Sequence, residues 1–203
     1  MYKRQAVVTL DRPAGGAFPR TVAITITGAL AREPSLRDNG RGTLIVNGDF
    51  EQGPDPAPTY RRLPAGGISI PGWVVTGGSI DHVSSTYWQS VSGLRNVDLS
   101  GWTAGSITQS INGLIVDQPY RLSFRLAGNP DCGTPVKSMS VVIDNVAHAF
   151  TFDATGGSHA DLMWTAKDFR FVYRGENPNL QIVSHEASIC GPIVDDIRLV
   201  PAP

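Results

Sequence analysis

The chain has 203 residues, of which 17% are charged, and its formal net charge at pH 7 is −1. So nearly neutral a chain gives no indication of a nucleic-acid-binding surface, and no apolar run approaches the roughly 20 residues that span a bilayer. The length allows one substantial core, or one domain with an appended fragment. The 22 glycines and 15 prolines are typical of short strands joined by turns.

The first 42 residues differ in pattern from the rest of the chain. No apolar run of signal-peptide length follows the start, so we expect a chain that begins inside a longer precursor, with a cytosolic protein as the alternative. Residues 6–10 and 21–27 alternate like strands, whereas residues 31–42 are polar and contain Pro34 and Gly40. We predict that residues 1–42 are an N-terminal fragment or linker, which is either the tail of a preceding β-domain or an addition to the edge of the next one.

The remaining residues carry the two-residue period of β-strands. From Tyr120 to Leu126 and from Phe169 to Tyr173, apolar and polar side chains alternate, as in strands that bury one face. Only residues 158–167 have helix-like content. We therefore predict an all-β, two-sheet antiparallel β-sandwich over residues 43–203. Further strands are expected at 43–47, 72–76, 79–83, 95–99, 105–111, 136–143, 146–152, 179–184 and 193–200.

An ordered set of short motifs runs through the same region. Its members are Asn47-Gly48-Asp49-Phe50-Glu51, Pro71-Gly72-Trp73, Gly77-Gly78-Ser79-Ile80-Asp81, Tyr87-Trp88-Gln89, Asn96-Val97-Asp98-Leu99-Ser100-Gly101, Ala127-Gly128-Asn129-Pro130-Asp131 and Cys190-Gly191-Pro192-Ile193-Val194-Asp195-Asp196-Ile197. The first and last resemble the terminal strands of galactose-binding-like jelly rolls, the fold of many carbohydrate-binding modules. The whole series resembles the bacterial choice-of-anchor C surface proteins, and also plant cell-wall proteins grouped under a domain-of-unknown-function heading.

One carboxylate of the last predicted strand is expected to point inward. At 193–200 the more apolar face includes Asp195, and a buried carboxylate needs a cation or several donors because its desolvation costs several kcal/mol. The jelly-roll resemblance implies that the first and last strands pair, which would bring Asp49 and Glu51 near Asp195. Such an oxygen cluster suits Ca²⁺, and the resemblance implies a structural calcium there. The alternative is that Asp195 accepts only backbone N–H bonds and that Glu51 is solvated. The face of Asp195 also carries Ile193, Ile197 and Leu199.

Cys132 and Cys190 are the only two cysteines in the chain. Neither belongs to a C-x-x-C pair or has a histidine at metal-ligand spacing, which argues against zinc. Both lie beside turn residues, and the resemblance to the plant proteins implies cysteines at comparable places. We predict a disulfide between them, which would stabilise the fold by about 4 kcal/mol in the chain-entropy model and would imply an oxidising compartment. Two unpaired thiols are the alternative.

The sequence contains no recognisable catalytic motif. G-x-S-x-G, H-E-x-x-H and phosphate-binding glycine loops are missing, and the four histidines are scattered. Carboxylates such as Asp81, Asp98 and Asp131 are common in loops, and their spacing in sequence does not establish the separation that glycoside hydrolysis requires. We therefore predict that the protein is not an enzyme.

Aromatic and polar residues are grouped in a way that suits sugar binding. Sugars present apolar C–H faces and hydroxyl groups, so proteins bind them with aromatic rings together with polar side chains. Tyr87 and Trp88 are adjacent, so one of them should point outward, and Trp102 lies in a glycine-flanked, turn-like segment. Trp73 and Trp164 are expected in the core. We predict a ligand site formed by Asp81, Tyr87, Trp88, Gln89, Trp102, Asn129 and Asp131, with turn formation as the alternative role of the last two.

These observations predict a secreted or cell-surface, non-catalytic module that binds polysaccharide at a cell wall or matrix. We expect no nucleic-acid partner and no membrane insertion, and other surface proteins are further candidate partners. The alternative is a structural or adhesive surface domain with a protein partner. An aromatic cleft would favour the first function, and a flat polar surface with an exposed strand edge the second. A hydrolase accessory or enzyme fragment would require clustered titratable groups in a pocket.

Overall fold

The computed structural model describes residues 42–202, so the predictions for residues 1–41 lie outside the described residues. Within residues 42–202 the chain forms eleven strands and no helix. The strands are β1 (Tyr60–Pro64), β2 (Val74–Gly77), β3 (Ser79–Ser84), β4 (Arg95–Asp98), β5 (Ser106–Ser110), β6 (Pro119–Gly128), β7 (Val136–Ile143), β8 (Val146–Asp153), β9 (Thr165–Val172), β10 (Asn179–Ser184) and β11 (Pro192–Pro201).

The strands form two antiparallel sheets that pack face to face. The six-stranded sheet has the order β1-β3-β4-β11-β6-β9, and the five-stranded sheet has the order β2-β5-β10-β7-β8. Strand β6 shows how the sequence sets the core, because Tyr120, Leu122, Phe124 and Leu126 are each at most 2% exposed, while the residues between them point away. The predicted all-β, two-sheet sandwich is confirmed.

The first strand of the six-stranded sheet, β1, was not predicted. Its sequence contains Arg61, Arg62 and Pro64, so few apolar residues reveal its alternation. These residues are suited to a sheet edge, where charges and proline protect unpaired backbone groups. Leu63 is its inward anchor and is 6% exposed, so the alternating residues Tyr60, Arg62 and Pro64 lie on the outward face.

The segment predicted as the first strand, 43–47, is not a regular strand. The Leu44 N–H donates to the Leu199 carbonyl at 2.8 Å, so the segment lies beside β11 as expected. Asn47 has a φ of 51°, however, and this left-handed conformation ends the extended backbone. Residues 158–167, the segment with helix-like content in the sequence, contain an isolated β-bridge and the start of β9 and no helix, in agreement with the predicted all-β fold.

Strand β11 changes face at a bulge. Its register on β6 shifts between Asp195 and Arg198, where Asp196 has a φ of 50°. The extra residue places Val194 and Leu199 on the same, core-facing side, although they are an odd number of positions apart. The prediction that Asp195 shares a face with Leu199 is therefore wrong. Asp195 lies on the outer side of the sheet and is nevertheless 0% exposed, because the β3–β4 connection covers it.

Candidate functional site

An ion pair joins β1, an edge strand of the six-stranded sheet, to its neighbour β3. Arg62 lies directly opposite Asp81 in the β1–β3 register. Its Nε and one Nη donate to the two Asp81 carboxylate oxygens, each at 2.8 Å. The hydrogen bond that Arg62 donates to Asp81 raises the pKa of the guanidinium above its ordinary value. This two-point contact fixes the plane of the guanidinium at the edge of the sheet.

Two exposed rings flank this guanidinium. The Arg62 Cζ atom lies 5.4 Å from the centre of the Tyr60 ring and 5.1 Å from the centre of the Trp102 ring. Trp102 is 62% exposed and Tyr60 is 42% exposed. The main-chain N–H of Trp102 donates to the Ser79 Oγ at 2.6 Å and anchors the turn that carries the indole. The expectation that Trp102 is exposed is confirmed.

The rings continue from Tyr60 onto the connections above the sheet. The Tyr60 and Tyr87 rings are 6.0 Å apart, and the edge of His159 meets Tyr87 at 4.7 Å between ring centres. Trp88 stacks on Tyr87 at 5.3 Å but is only 4% exposed. Tyr87 is therefore the outward member of this adjacent pair, and Trp88 supports it from below. We call the surface formed by Trp102, Arg62, Tyr60, Tyr87 and His159 the aromatic strip.

A carboxylate closes the aromatic strip at the His159 end. Asp131 accepts a hydrogen bond from His159 Nε2 at 2.6 Å and one from the Tyr87 hydroxyl at 3.3 Å. Burial raises the pKa of the Tyr87 hydroxyl, and the nearby Asp131 carboxylate raises it further. Asp131 thus holds two rings of the strip in place while remaining at the surface.

The loop that carries Asp131 rests on a second, fully buried carboxylate. Asp98 accepts hydrogen bonds from Asn129 Nδ2 and from the Ser100 N–H, each at 2.8 Å. Asn129 Oδ1 in turn accepts the Asp131 N–H at 2.9 Å, so Asn129 shapes the turn as well as bonding Asp98. Burial raises the pKa of Asp98 to about 8, against the effect of these donors. A Cβ atom at Gly191 would collide with Asp98 and Ser100, so only glycine fits there.

The predicted disulfide is present and braces the same loop. Cys132 and Cys190 are bonded, with their Cα atoms 5.6 Å apart and 58 positions apart in sequence. The bond ties the β6–β7 connection to the β10–β11 connection. The Asn129 N–H also donates to the Gly191 carbonyl at 2.9 Å, so the two connections are joined at two places.

Gln89 and Trp164 fasten the β3–β4 connection to the β8–β9 connection. Trp164 Nε1 donates to the Gln89 carbonyl at 3.1 Å, and Gln89 Oε1 accepts the Leu162 N–H at 3.2 Å. Gln89 therefore acts here as a bracket between loops and does not lie on the aromatic strip. Trp164 is half-buried against the core and Trp73 is fully buried, at 3% exposed.

The three carboxylates predicted to bind calcium are not grouped in that way. Within residues 42–202 no three His, Cys, Asp or Glu side chains could together hold a metal ion. Asp195 instead accepts three main-chain N–H bonds, two of them from Val91 and Ser92 at 3.0 and 2.9 Å. Glu51 accepts the Leu94 N–H at 2.7 Å. Asp195 and Glu51 thus pin the connection that carries Tyr87, and the set Asp49, Glu51 and Asp195 does not fit a calcium site.

Whether the folded protein binds calcium at all is tested by a melting experiment. A cation that binds only the folded state adds about 2.7 kcal/mol at 100 times its dissociation constant. Because the oxygens of Asp195 already have N–H donors, we expect the same unfolding temperature in EDTA and in millimolar calcium. A lower temperature in EDTA that disappears in Asp195→Ala would restore the calcium hypothesis.

Sequence reasoning missed three residues that the structure brings to the site. Tyr60 and Arg62 lie on the strand that was not predicted. In the sequence His159 is one of four scattered histidines. Its contacts with Asp131 and Tyr87 join parts of the chain that are far apart in sequence, so no local pattern reveals them. Alternation of Tyr60 and Arg62 with Leu63 was the only available signal, and five residues are too few to separate it from a loop.

The family model described as "Protein of unknown function (DUF642)" matches residues 43–200. The chain belongs to the DUF642 family. The predicted resemblance to a domain-of-unknown-function family is thereby confirmed, whereas the resemblance to choice-of-anchor C surface proteins stays a prediction. Residues 42–202 of this DUF642 chain contain no helix with the length and hydrophobicity needed to cross a membrane.

Curated relatives and solved structures resemble the DUF642 chain only in part. It is 35% identical over 89 residues to Halomucin of Haloquadratum walsbyi, which covers 42% of this chain and 1% of that protein. It is 24% identical over 180 residues to "Protein DUF642 L-GALACTONO-1,4-LACTONE-RESPONSIVE GENE 1" of Arabidopsis thaliana, which covers 77% of this chain and 45% of that protein. The chain therefore spans less than half of either relative. A family 35 carbohydrate binding module from Clostridium thermocellum is 17% identical, with a TM-score of 0.47, over 70% of this chain and 99% of that one.

Proposed function

We propose that this protein is a non-catalytic module that binds polysaccharide along the aromatic strip. The observation that carries the proposal is the continuous run of rings from Trp102 through Tyr60 to Tyr87, with an ion-paired arginine within it and a carboxylate at its end. Exposed aromatic rings are costly to solvate and seldom occur in such a row without a ligand. A neutral, ring-lined surface edged by polar groups suits the apolar faces and hydroxyl groups of sugars.

Each part of the strip has a separate task in this proposal. The faces of Trp102 and Tyr60 stack on sugar C–H groups, and Asp131 accepts hydrogen bonds from hydroxyl groups. Asp81 occupies the Arg62 Nε and one Nη, and within residues 42–202 the other Nη has no protein acceptor, so it is available to a sugar oxygen. The charge of Arg62 is balanced by Asp81, which makes the surface selective for neutral hydroxyl groups over free anions.

We further propose that the protein acts outside the cell, at a cell wall or matrix. The disulfide between Cys132 and Cys190 supports this location, because such bonds persist in oxidising compartments. The carboxylates that a hydrolase would use are already committed to other contacts. Asp81 pairs with Arg62, and Asp98 is buried beneath Asn129. This supports binding without catalysis.

The matched variants Trp102→Ala and Ile115→Ala test the binding proposal. Trp102 and Ile115 are similarly exposed, at 62% and 64%, but Ile115 lies on the β5–β6 connection, outside the strip. Trp102→Ala should weaken polysaccharide binding by about 1–3 kcal/mol, since a stacked ring loses its buried area, and should change the free energy of unfolding by less than about 0.5 kcal/mol. Trp102→Phe should recover part of the loss.

Pull-down on insoluble polysaccharides and affinity electrophoresis in soluble ones would measure these effects. Ile115→Ala should bind as tightly as the unmodified protein. Equal binding by Trp102→Ala and Ile115→Ala would contradict the assignment of the strip as the ligand surface.

A second candidate function is adhesion to a surface protein, and strand β8 favours it. Within residues 42–202, β8 pairs only with β7, and it is an edge strand of eight residues. Asp153 is its only charged residue if its histidine is neutral, so it lacks the charges that usually protect an edge. Binding to no polysaccharide, together with capture of a wall protein that Ala149→Lys abolishes, would favour this function.

A further inference from the structure

A cleft lies beside the closed end of the aromatic strip. It has a volume of about 390 Å³, is open to solvent, and is lined by residues 129–135, Lys137 and residues 154–157. Both connections cross from one sheet to the other, the first from β6 to β7 and the second from β8 to β9. The cleft therefore opens at the end of the sandwich. Asp131 lines this cleft and also bonds His159 of the aromatic strip.

The floor of the cleft is polar as well as buried. Asn129 is 6% exposed, Lys137 is 1% exposed and Ala154 is 8% exposed, and all three line the cleft. Lys137 occupies a core-facing position of β7, on the same face of the strand as Met139 and Val141. A lysine at such a position is unusual, because charged side chains are rarely fully buried without a partner.

The Lys137 ammonium group has unused hydrogen-bonding capacity. Its Nζ donates to the Cys132 carbonyl at 2.7 Å, and within residues 42–202 this is its only hydrogen-bond acceptor. An ammonium group has three N–H donors. Burial lowers the pKa of Lys137, and the charges of Glu186 and Asp98 oppose that shift from a greater distance. A ligand oxygen at the floor of the cleft would satisfy a donor that the protein leaves without an acceptor.

The cleft therefore presents both a hydrogen-bond donor, on the buried Lys137, and an acceptor, on the exposed Asp131. Lys137 provides N–H groups at the floor, and Asp131 provides a carboxylate at the mouth. Because both signs of charge are present, the lining suits a neutral polyhydroxylated group better than a free anion or cation. The volume is at the lower end of the range for small-molecule sites, so there is room for one or two sugar units rather than for a chain passing through.

We propose that this cleft is a subsite for the terminal sugar of the polysaccharide whose next residues lie on the aromatic strip. The inference rests on the proposed function and makes it more specific, because it assigns recognition of chain ends to this site. The terminal unit has one more free hydroxyl group than an internal unit, and Lys137 and Asp131 bind it. The strip then stacks the adjoining units, and Asp131 marks the boundary between the two subsites.

Partial hydrolysis of the polysaccharide that the protein binds tests the proposal, because it increases the number of chain ends while the total mass of polysaccharide stays the same. Soluble fragments should compete for the unmodified protein at a lower mass concentration than the intact polymer, in proportion to their number of ends. Thr155→Trp fills the cleft from its exposed rim without altering Lys137 or the strip. It should remove the preference for fragments, and Lys137→Met should weaken fragment binding by about tenfold, the loss expected for one or two hydrogen bonds.

The controls separate failure of this inference from failure of the proposed function. Trp102→Ala should weaken the binding of fragments and intact polymer alike, and melting curves should show that Thr155→Trp is folded. Two results would contradict the terminal subsite while leaving the strip in place. One is that fragments and intact polymer compete equally at equal mass, whatever their number of chain ends. The other is that Thr155→Trp and Lys137→Met bind fragments as tightly as the unmodified protein does. If the unmodified protein binds no polysaccharide, both proposals fall.

Discussion

Replacing Cys132 and Cys190 by serine is expected to lower the free energy of unfolding by about 4 kcal/mol, the loss for a loop closed across 58 positions. In a protein of this size the unfolding temperature should fall by roughly 10 °C. The bond joins the connection that carries Asp131 to the β10–β11 connection. We therefore expect reduced polysaccharide binding as well as reduced stability.

Denaturant unfolding of the double serine variant would measure this effect. Thiol titration of the unreduced, denatured protein should detect no free thiol, and two thiols should become reactive after reduction. Trp102→Ala is a useful comparison, because it should lose binding with almost no loss of stability. An unfolding midpoint that does not change when the cysteines are replaced would contradict the stabilising role of the bond.

Between about pH 6.5 and pH 8, the free energy of unfolding is expected to fall as the pH rises. Burial raises the pKa of Asp98 to about 8 and that of Asp195 to about 7, whereas an unfolded aspartate titrates near pH 3.9. The folded state therefore holds protons that the unfolded chain has released, and stability declines until these groups ionise. The decline should be about 1 kcal/mol per pH unit for each such proton.

A buried histidine makes the decline shallower below about pH 6.5. Burial lowers the pKa of His82 to about 4, so between about pH 4 and pH 6.5 the folded state binds fewer protons at this side chain than the unfolded chain does. His82 therefore adds stability as the pH rises there, and it offsets the proton held by one of the two aspartates, Asp98 and Asp195. As the pH rises above 6.5 the unfolded histidine also loses its proton, so this offset fades and the decline caused by the aspartates becomes steeper.

Urea unfolding at a series of pH values would test this expectation, because it measures how the free energy of unfolding changes with pH. Asp98→Asn should be less stable, because Ser100 and Asn129 donate to the two different carboxyl oxygens of Asp98 and asparagine keeps only one of them. Its stability should nevertheless depend less on pH above 6.5. The matched variant Asp168→Asn changes an exposed aspartate, which pairs with Arg121 at the surface, and should keep the original slope. An identical slope in Asp98→Asn and the unmodified protein would contradict the raised pKa.

The fold was largely predictable from the sequence because alternation reports burial directly. The pattern from Tyr120 to Leu126 identified β6, and its inward and outward faces are those in the structure. Short edge strands are harder, since a strand that pairs on one side can carry charges and proline, as β1 does. The bulge at Asp195 was also hidden, because an inserted residue changes the face of a strand without changing the local composition.

The candidate site was predictable only where its residues are neighbours in the sequence or have a distinctive setting. An outward ring was expected from the adjacent Tyr87 and Trp88 because neighbouring strand residues face opposite ways. The pair lies on the β3–β4 connection instead, and there Trp88 is buried while Tyr87 is the outward ring. Trp102 stands out by its turn. The contacts of Arg62 with Asp81 and of His159 with Asp131 depend on how strands and connections meet in three dimensions. Local sequence patterns do not predict which of these distant residues come into contact.

The most direct test of the proposed ligand surface is a titration that observes the four indole N–H groups by ¹⁵N–¹H NMR. Trp102 is 62% exposed on the strip, Trp73 is 3% exposed in the core, and Trp88 is 4% exposed beneath Tyr87. Addition of soluble wall polysaccharide should shift the Trp102 signal strongly and the Trp88 signal weakly, and should leave the Trp73 signal in place. Saturating ligand that shifts no indole signal, or that shifts signals remote from the strip while Trp102 stays unchanged, would contradict the aromatic strip as the polysaccharide-binding surface.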